Sequence, residues 1–440
     1  MEPKRDFDLV VIGATGLTGR LVIEQLAHRD TLSGFTGKRR WSIAGRNPDR
    51  LAKTLADLHL EDVQTLHADL DDQTSLCDLA TRTAVVLSCA GPYSSRAEGL
   101  IEACVQAGTS YVDLSGEIPL LRRVIDRFDE PARSAGVQVV QMAGWEAMPA
   151  DLTTLVACQR AAASMTAGPE QGGLYVGPGA AHPITSVHVA VRFLRRPEGG
   201  VPFKQSVSAG TMASIVEILK APTAGLVGRS AGLLPISSAN ERSQQPAPLS
   251  LRPQVQQGRV FGPVVPVAFL NPPIVYRTAA ILAREREVAL SFARYREGLD
   301  LGVSAGLRGI VRRVAAVLKG VMQTLLIGVT RLPLSLRRQL AGILQNLLPP
   351  AGSGPSGRHL TQWTWEVEAR ATAVNGNIAT CVLAGTGHPG YTATAAMIAE
   401  VALHMADRNQ SESRSGCLTP ALAMSNSKEL NMKMPSLTLR

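Results

Sequence analysis

The stretch Gly13-Ala14-Thr15-Gly16-Leu17-Thr18-Gly19 stands directly behind the apolar run Phe7-Asp8-Leu9-Val10-Val11-Ile12. The glycines are spaced GxxGxxG, and a glycine triplet alone is a weak signal. Here it follows a strand-like run and opens a helix-like one, the context that a dinucleotide-phosphate turn requires. Gly13 permits the sharp turn, Gly16 lets a pyrophosphate approach the backbone, and Gly19 lets helix and strand pack closely. The N-terminus of the helix favours an anion. Thr15 and Leu17, between the glycines, are counted with this phosphate loop. The competing reading is a bare turn between a strand and a helix.

The segments that follow alternate. Strands are expected at 7–12, 41–44, 63–68, 84–90, 111–114 and 137–142. Helices are expected at 17–27, 48–58, 72–81, 98–107 and 120–135. Strands separated by helices at this spacing imply a parallel sheet covered on both faces, and near-continuous apolar strands fit burial on both sides. The fold class expected is α/β: an N-terminal doubly wound Rossmann sheet followed by a second, α+β domain.

In such a sheet ligands bind beyond the carboxyl ends of the strands. The second strand ends at Ala44-Gly45-Arg46-Asn47, where an NAD site would carry an acid for the ribose. Arg46 stands there instead, and a guanidinium suits the extra phosphate of NADP. The alternative is a solvated loop arginine. Asp69 closes the third strand, to contact adenine or to cap the next helix. Gly91, Pro92 and Tyr93 follow the fourth strand on the expected nicotinamide side. Glu117 follows the fifth strand, and Glu146 the sixth. Tyr93, Glu117 and Glu146 are the candidate proton donors. No Tyr-x-x-x-Lys run follows the fourth strand, so these assignments rest on position.

Five runs in this order, IGATGLTGR (12–20), AGRNPDRL (44–51), CAGPY (89–93), EACVQAGTSYVDLSGE (102–117) and GWEAMPAD (144–151), carry a family resemblance. The chain resembles the saccharopine-dehydrogenase-like oxidoreductases, above all those of animals and the trans-acting enoyl reductases of bacteria and fungi. The likeness is dense over 7–157 and returns at 271–282, 292–297 and 386–400. It implies NADPH as cofactor, with Gly13, Gly16 and Gly19 at the phosphates, Arg46 at the phosphate of the adenosine ribose, and Gly91 and Pro92 beside the nicotinamide. It also implies a hydrophobic or carrier-bound acyl substrate, with a polyketide synthase as partner. Where the family commonly has Phe-Asp-Ser, this chain has Trp145-Glu146-Ala147, so the substrate itself does not carry over.

The domains expected are 1–157, binding NADP, and 158–408, an α+β substrate domain, followed by a mobile tail at 409–440. Within the second, 164–184 reads as a connection and 221–257 as a long loop. Strands are expected at 185–193 and 363–370, with a hairpin turn at Asn375-Gly376 leading into a strand at 378–384. A helix over 391–405 is expected to return to the first domain. His388 could act as an acid but more often such a histidine is structural.

The formal charge of +9 is concentrated: Leu301 to Trp365 holds no acidic residue but eight Arg and Lys residues. These alternate with Leu, Val and Ile, which suits a membrane surface or a phosphorylated partner better than a nucleic-acid groove. The longest charge-free apolar run there, Gly320–Thr330, falls well short of the roughly 20 residues needed to span a bilayer. Interfacial helices and core-packed helices with a basic outer face remain equal readings. Six scattered cysteines without metal spacing point to reduced thiols, no structural metal and a cytoplasmic protein, peripheral on a membrane where the basic segment meets lipid. Two rival functions stay open. One is a lipid-associated nucleotide-binding protein without turnover. The other is an imine-reducing dehydrogenase, which would need arginines and lysines for substrate carboxylates; Arg192, Arg195, Arg196, Lys204 and Arg277 form no evident cluster in the sequence.

Overall fold

The computed structural model describes residues 5–32, 40–166, 184–199, 209–234, 251–264, 268–285, 294–347, 354–407, 414–425 and 434–440. Most of the expected connection at 164–184, the middle of the expected loop at 221–257, and Arg39 and Lys204 lie outside them.

Phe7–Ile12 (β1) feeds Leu17–Leu32 (α1) through the glycine turn. Trp41–Gly45 (β2), Thr65–His67 (β3), Thr83–Ser88 (β4), Ser110–Asp113 (β5) and Gln138–Val140 (β6) follow, separated by Pro48–Asp57 (α2), Gln73–Thr81 (α3), Ala97–Gln106 (α4) and Ile118–Ser134 (α5). These strands pair in parallel, in the order β6-β5-β4-β1-β2-β3. Their apolar residues bury on both faces, since Val10 and Val11 point to opposite sides and both are fully buried. β3 and β6 are shorter than the runs expected from the sequence. Asn47 and Asp72 cap α2 and α3 with their side chains.

Met148–Thr166 (α6) leaves this sheet and packs on a second one. That sheet has the order β14-β12-β11-β7-β10-β9-β8: Leu437–Leu439, Ile378–Thr386, Thr364–Ala373, Ile184–Arg195, Tyr295–Val303, Arg259–Gly262 and Gln254–Gln256. Only β7 and β10 pair in parallel. The β11–β12 hairpin turns at Asn375-Gly376, where Gly376 takes φ +83°. Part of the expected loop 221–257 is strand β8. Helix Ala209–Lys220 (α7) lies between β7 and β8 in the chain.

Helix Thr394–Met405, here α8, lies against α1, β4 and β5. It is buried on all sides from Thr394 to His404, as its mostly apolar circumference requires. One continuous core joins the sheets: β1 residues Leu9 and Val11, α6 residues Leu152 and Leu155, α8 residues Met397 and Ile398, and β11 residues Trp365 and Val367.

The expected mobile tail is corrected for 414–425 and 434–440. Gly416–Leu418 (β13) adds a seventh parallel strand to the first sheet, beside β6. β14 pairs with β12 in the second. The reason is polar as well as apolar. Arg277, 4% exposed, donates to the carbonyl of Cys417 at 2.7 Å. Buried Asp151 accepts from the Ala421 amide at 2.9 Å, and Glu400 from the Met434 amide at 2.8 Å. Each such bond to a charged group contributes about 1.5–3 kcal/mol, and an unpaired buried partner costs more. Among the described residues no helix is long and apolar enough to cross a membrane.

Candidate active site

The turn after β1 is built by close approach. A Cβ at Gly13, where φ is +83°, would stand 2.8 Å from the backbone carbon of Cys89 at the end of β4. At Gly19 it would stand 2.1 Å from the carbonyl oxygen of Gly13. These two glycines are explained by the protein's own packing. Gly16 is not: a Cβ there would meet only the Gly13 oxygen, at 3.4 Å. Protein packing therefore leaves Gly16 open, at the first turn of α1, where free N–H groups face outward. Thr15 and Leu17 beside it are half-buried.

Arg46 is exposed at the end of β2 and, among the described residues, has no ion pair or side-chain hydrogen bond. Arg40 is engaged with Asp8, and Arg20 with Asp57. Asp69 lies on the neighbouring edge, because the Ala68 amide donates to the Gly45 carbonyl at 3.2 Å. Its carboxylate accepts from the Asp71 amide at 3.1 Å; the cap of α3 is Asp72, not Asp69. An open glycine, a helix N-terminus and a free guanidinium on one edge fit a dinucleotide carrying a ribose phosphate.

Further along that edge, exposed Gly91 joins half-buried Pro92 through a cis peptide bond. Tyr93 is buried and donates its hydroxyl to the Ser88 carbonyl at 3.2 Å. Burial is the main reason its hydroxyl ionises only well above the usual tyrosine range. Glu117, fully buried, accepts from the amides of Tyr93 (3.3 Å) and Ser94 (3.0 Å), from the Ser94 hydroxyl, and from Ser214 of α7 at 2.8 Å. Both residues, expected as proton donors, are committed to protein partners. They hold the Pro92 loop and tie it to α7.

Glu146 differs. Its Oε1 is buried without a hydrogen-bond partner, and burial pushes its carboxyl up to about 7, helped by nearby Asp113. The backbone amides of Gly144 and Glu146 itself pull the other way. Asp113, at the end of β5, is also pushed up by burial, to about 6, against hydrogen bonds from Ser115 and Tyr111. The loop that carries Glu146 is tightly held. A Cβ on Gly144 would stand 2.7 Å from Oε2 of Glu146 and from Thr394, and the Trp145 amide donates to Thr394 Oγ1 at 3.1 Å.

Sequence reading missed the wall that faces this loop. Trp145 meets Trp365 of β11 edge-on, centroids 4.5 Å apart, and stacks on Phe193 of β7 at 6.0 Å. Phe193 meets Trp363 at 5.6 Å, and Trp363 meets His388 at 5.0 Å. The signal available was the Trp363–Trp365 alternation, which puts both rings on one face of β11. His388 accepts the Gly390 amide on Nδ1 at 3.2 Å, and burial lowers it to about 4, so the ring is neutral at pH 7.

The described cations do not gather here for substrate carboxylates. Arg192 pairs with Asp300, Glu366 and Glu368. Arg277 is bound to backbone carbonyls and lies 3.7 Å from Asp129. Arg196 lies over the Phe193 ring, 4.7 Å from its centroid. Arg195 is exposed. No group of His, Cys, Asp and Glu among the described residues could hold a metal ion.

The family profile of the saccharopine dehydrogenase NADP-binding domain matches residues 9–140. A protein of Mycobacterium ulcerans named trans-acting enoyl reductase is 28% identical, over 96% of this chain and 94% of its own. One of the same name from Mycobacterium tuberculosis is 27% identical over the same shares. Among solved structures, saccharopine dehydrogenase (L-Glu forming) from Saccharomyces cerevisiae superposes with a TM-score of 0.48 at 14% identity, covering 98% of this chain and 99% of its own.

Proposed function

Because residues 9–140 match the NADP-binding domain of saccharopine dehydrogenases and the whole chain is similar to trans-acting enoyl reductases, we propose that this NADP-dependent oxidoreductase reduces the C=C bond of a hydrophobic α,β-unsaturated acyl group. The substrate would be presented by a carrier, with a polyketide synthase as the partner enzyme, in lipid or secondary-metabolite assembly. The trans-acting enoyl reductases it resembles over most of its length support this reading. The observation that carries it is the buried, readily protonated carboxyl of Glu146, whose Oε1 has no hydrogen-bond partner, on the loop that also carries Trp145.

The cradle residues Gly13, Thr15, Gly16, Leu17 and Gly19 would take the pyrophosphate, Arg46 the ribose phosphate, and Gly91 and Pro92 the nicotinamide side. Asp69 would stand beside the adenosine. Bound there, NADPH supplies a hydride. Addition at the β-carbon of an enoyl thioester leaves an enolate, which needs a proton. Glu146 holds that proton at Oε1. The half-buried rings of Trp145, Phe193 and Trp363 would offer apolar surface to the acyl chain. Tyr93 and Glu117 act as positioning residues for the Pro92 loop. An imine-reducing site would want free cations for carboxylates, and Arg192 and Arg277 are both spent elsewhere.

NADPH oxidation with enoyl thioesters of increasing chain length tests the reading, with a keto acid plus an amino acid as the opposing substrates. Turnover is expected with the thioesters and should improve with chain length. Glu146 is protonated below about 7, so kcat should fall as pH rises through that value. Glu146→Gln should lower kcat by about a hundredfold and abolish that limb, with KM little changed. Turnover confined to the keto acid pair would reject enoyl reduction.

A further inference from the structure

Helix Gly306–Val329, here α9, is amphipathic the wrong way round. At about 100° per residue, its buried stripe is Gly309, Ala316, Gly320, Gln323 and Ile327. Its small residues let the helix lie close to the body: a Cβ on Gly320 would fall 2.4 Å from the Leu251 oxygen, and one on Gly262 of β9 3.2 Å from Ala316. The opposite side carries Leu307, Val311, Val314, Leu318, Val321 and Leu325, all exposed, Leu307 by 82%. A surface helix ordinarily buries its large apolar side chains and turns polar ones to water. Helix Leu334–Asn346 (α10), which follows α9 and packs on α7, also exposes Leu336 and Ile343. Arg337 is not on this surface; buried, it clamps α10 to the carbonyls of Leu219 and Ala221. A contiguous apolar patch of this kind marks an interaction site.

The charges around it select the occupant. By the same rotation, Arg308, Arg312 and Lys319 border the apolar side on one edge and Arg313 on the other. Among the described residues none of the four makes an ion pair. Arg312 and Arg313 donate to the carbonyls of Val303 and Ser304, which leaves their charge uncompensated. No acidic residue stands between Leu301 and Trp365 to offset it. The outward side lacks the aromatic anchors of protein interfaces. Its Thr324 hydroxyl is already spent on the Gly320 carbonyl at 2.8 Å. Aliphatic side chains flanked by cations match hydrocarbon below anionic headgroups.

We propose that α9 lies in the interface of an anionic lipid surface, its axis parallel to that surface and Leu307 to Leu325 immersed. This does not depend on which bond the active site reduces.

Co-sedimentation of the full chain with phosphatidylcholine vesicles, with and without phosphatidylserine, tests the proposal. Binding should be at least about tenfold tighter to the anionic vesicles and weaken with salt, since each basic residue near such a surface contributes roughly fivefold. The double variant Val314→Asp/Leu325→Asp should lose binding while keeping its circular dichroism and NADPH affinity. The unmodified protein is decisive by itself: if it stays in the supernatant with anionic vesicles, the proposal falls. If sedimentation velocity then shows a dimer that the double variant dissolves, the occupant is a second copy of the chain.

Discussion

A Cβ at Gly19 would stand 2.1 Å from the Gly13 carbonyl oxygen, and one at Gly320 would stand 2.4 Å from that of Leu251. Both glycines sit in helices that lie flush against backbone. What each contact leaves free is different. Around Gly19 the protein is closed, and only the neighbouring Gly16 opens outward, at a helix N-terminus. Around Gly320 small residues, with Gln323 and Ile327, make the contact with the body, and most of the large apolar side chains are displaced to the outside. In the proposed sites glycine would thus serve an anion in one place and an apolar face in the other. In each case the free neighbour, not the packed glycine, points to the ligand.

The two contacts should differ in how far they can yield. The Gly13 oxygen is fixed by the Gly16 amide at 3.0 Å and by the Ile12–Cys89 bond next to it. Gly19→Ala should therefore destabilise by about 3 kcal/mol, the upper end of the usual overpacking range. Leu251 leads into the short edge strand β8 and can move. Gly320→Ala should cost about 1 kcal/mol or less, because the gain in helix propensity offsets part of the clash. Thermal or urea unfolding of both variants measures this directly. A larger loss at Gly320 would break the comparison, since α9 would then be as integral as the turn after β1.

Arg46 sharpens the functional half of the contrast. It is free in the protein, so its replacement should leave unfolding unchanged and act on the cofactor alone. Arg46→Ala should weaken NADPH binding by about 1.5–3 kcal/mol, roughly tenfold to over a hundredfold, with NADH unaffected. Fluorescence titration with both nucleotides reads the difference. Equal loss for the two would place Arg46 away from the ribose phosphate.

The first sheet was legible because its determinants are local. Apolar runs, glycine turns and the Asn47 and Asp72 caps each lie within a few residues of the element they shape. β13 and β14 were not legible, for the opposite reason. Three-residue strands carry almost no period, and Gly416–Leu418 is held by Asp129 and Arg277, far away in sequence. The site divides along the same line. Gly13, Gly16 and Arg46 could be named from motif and spacing. The separation of Glu146 from Tyr93 and Glu117 could not, because it depends on which carboxyl finds donors after folding. The Trp145–Trp365 contact joins residues from two sheets and has no trace in either local sequence. The basic apolar segment was visible by composition, but which side faces out depends on where Gly309, Ala316 and Gly320 meet the body.

Gly16 tests the rule with the smallest expected change. Its φ lies outside the left-handed region, and a methyl group there would touch little of the protein. Gly16→Ala should shift unfolding by no more than about 0.5 kcal/mol, as for an unconstrained surface site. The same methyl would intrude where a pyrophosphate must approach the backbone, so NADPH affinity should fall by about tenfold. Arg46→Ala discriminates between the two nucleotides, whereas Gly16→Ala should weaken both alike, because both carry the pyrophosphate. Unchanged affinity would mean that the opening at Gly16 faces only solvent, and the turn after β1 would then be explained by strand-to-helix packing at Gly13 and Gly19 alone.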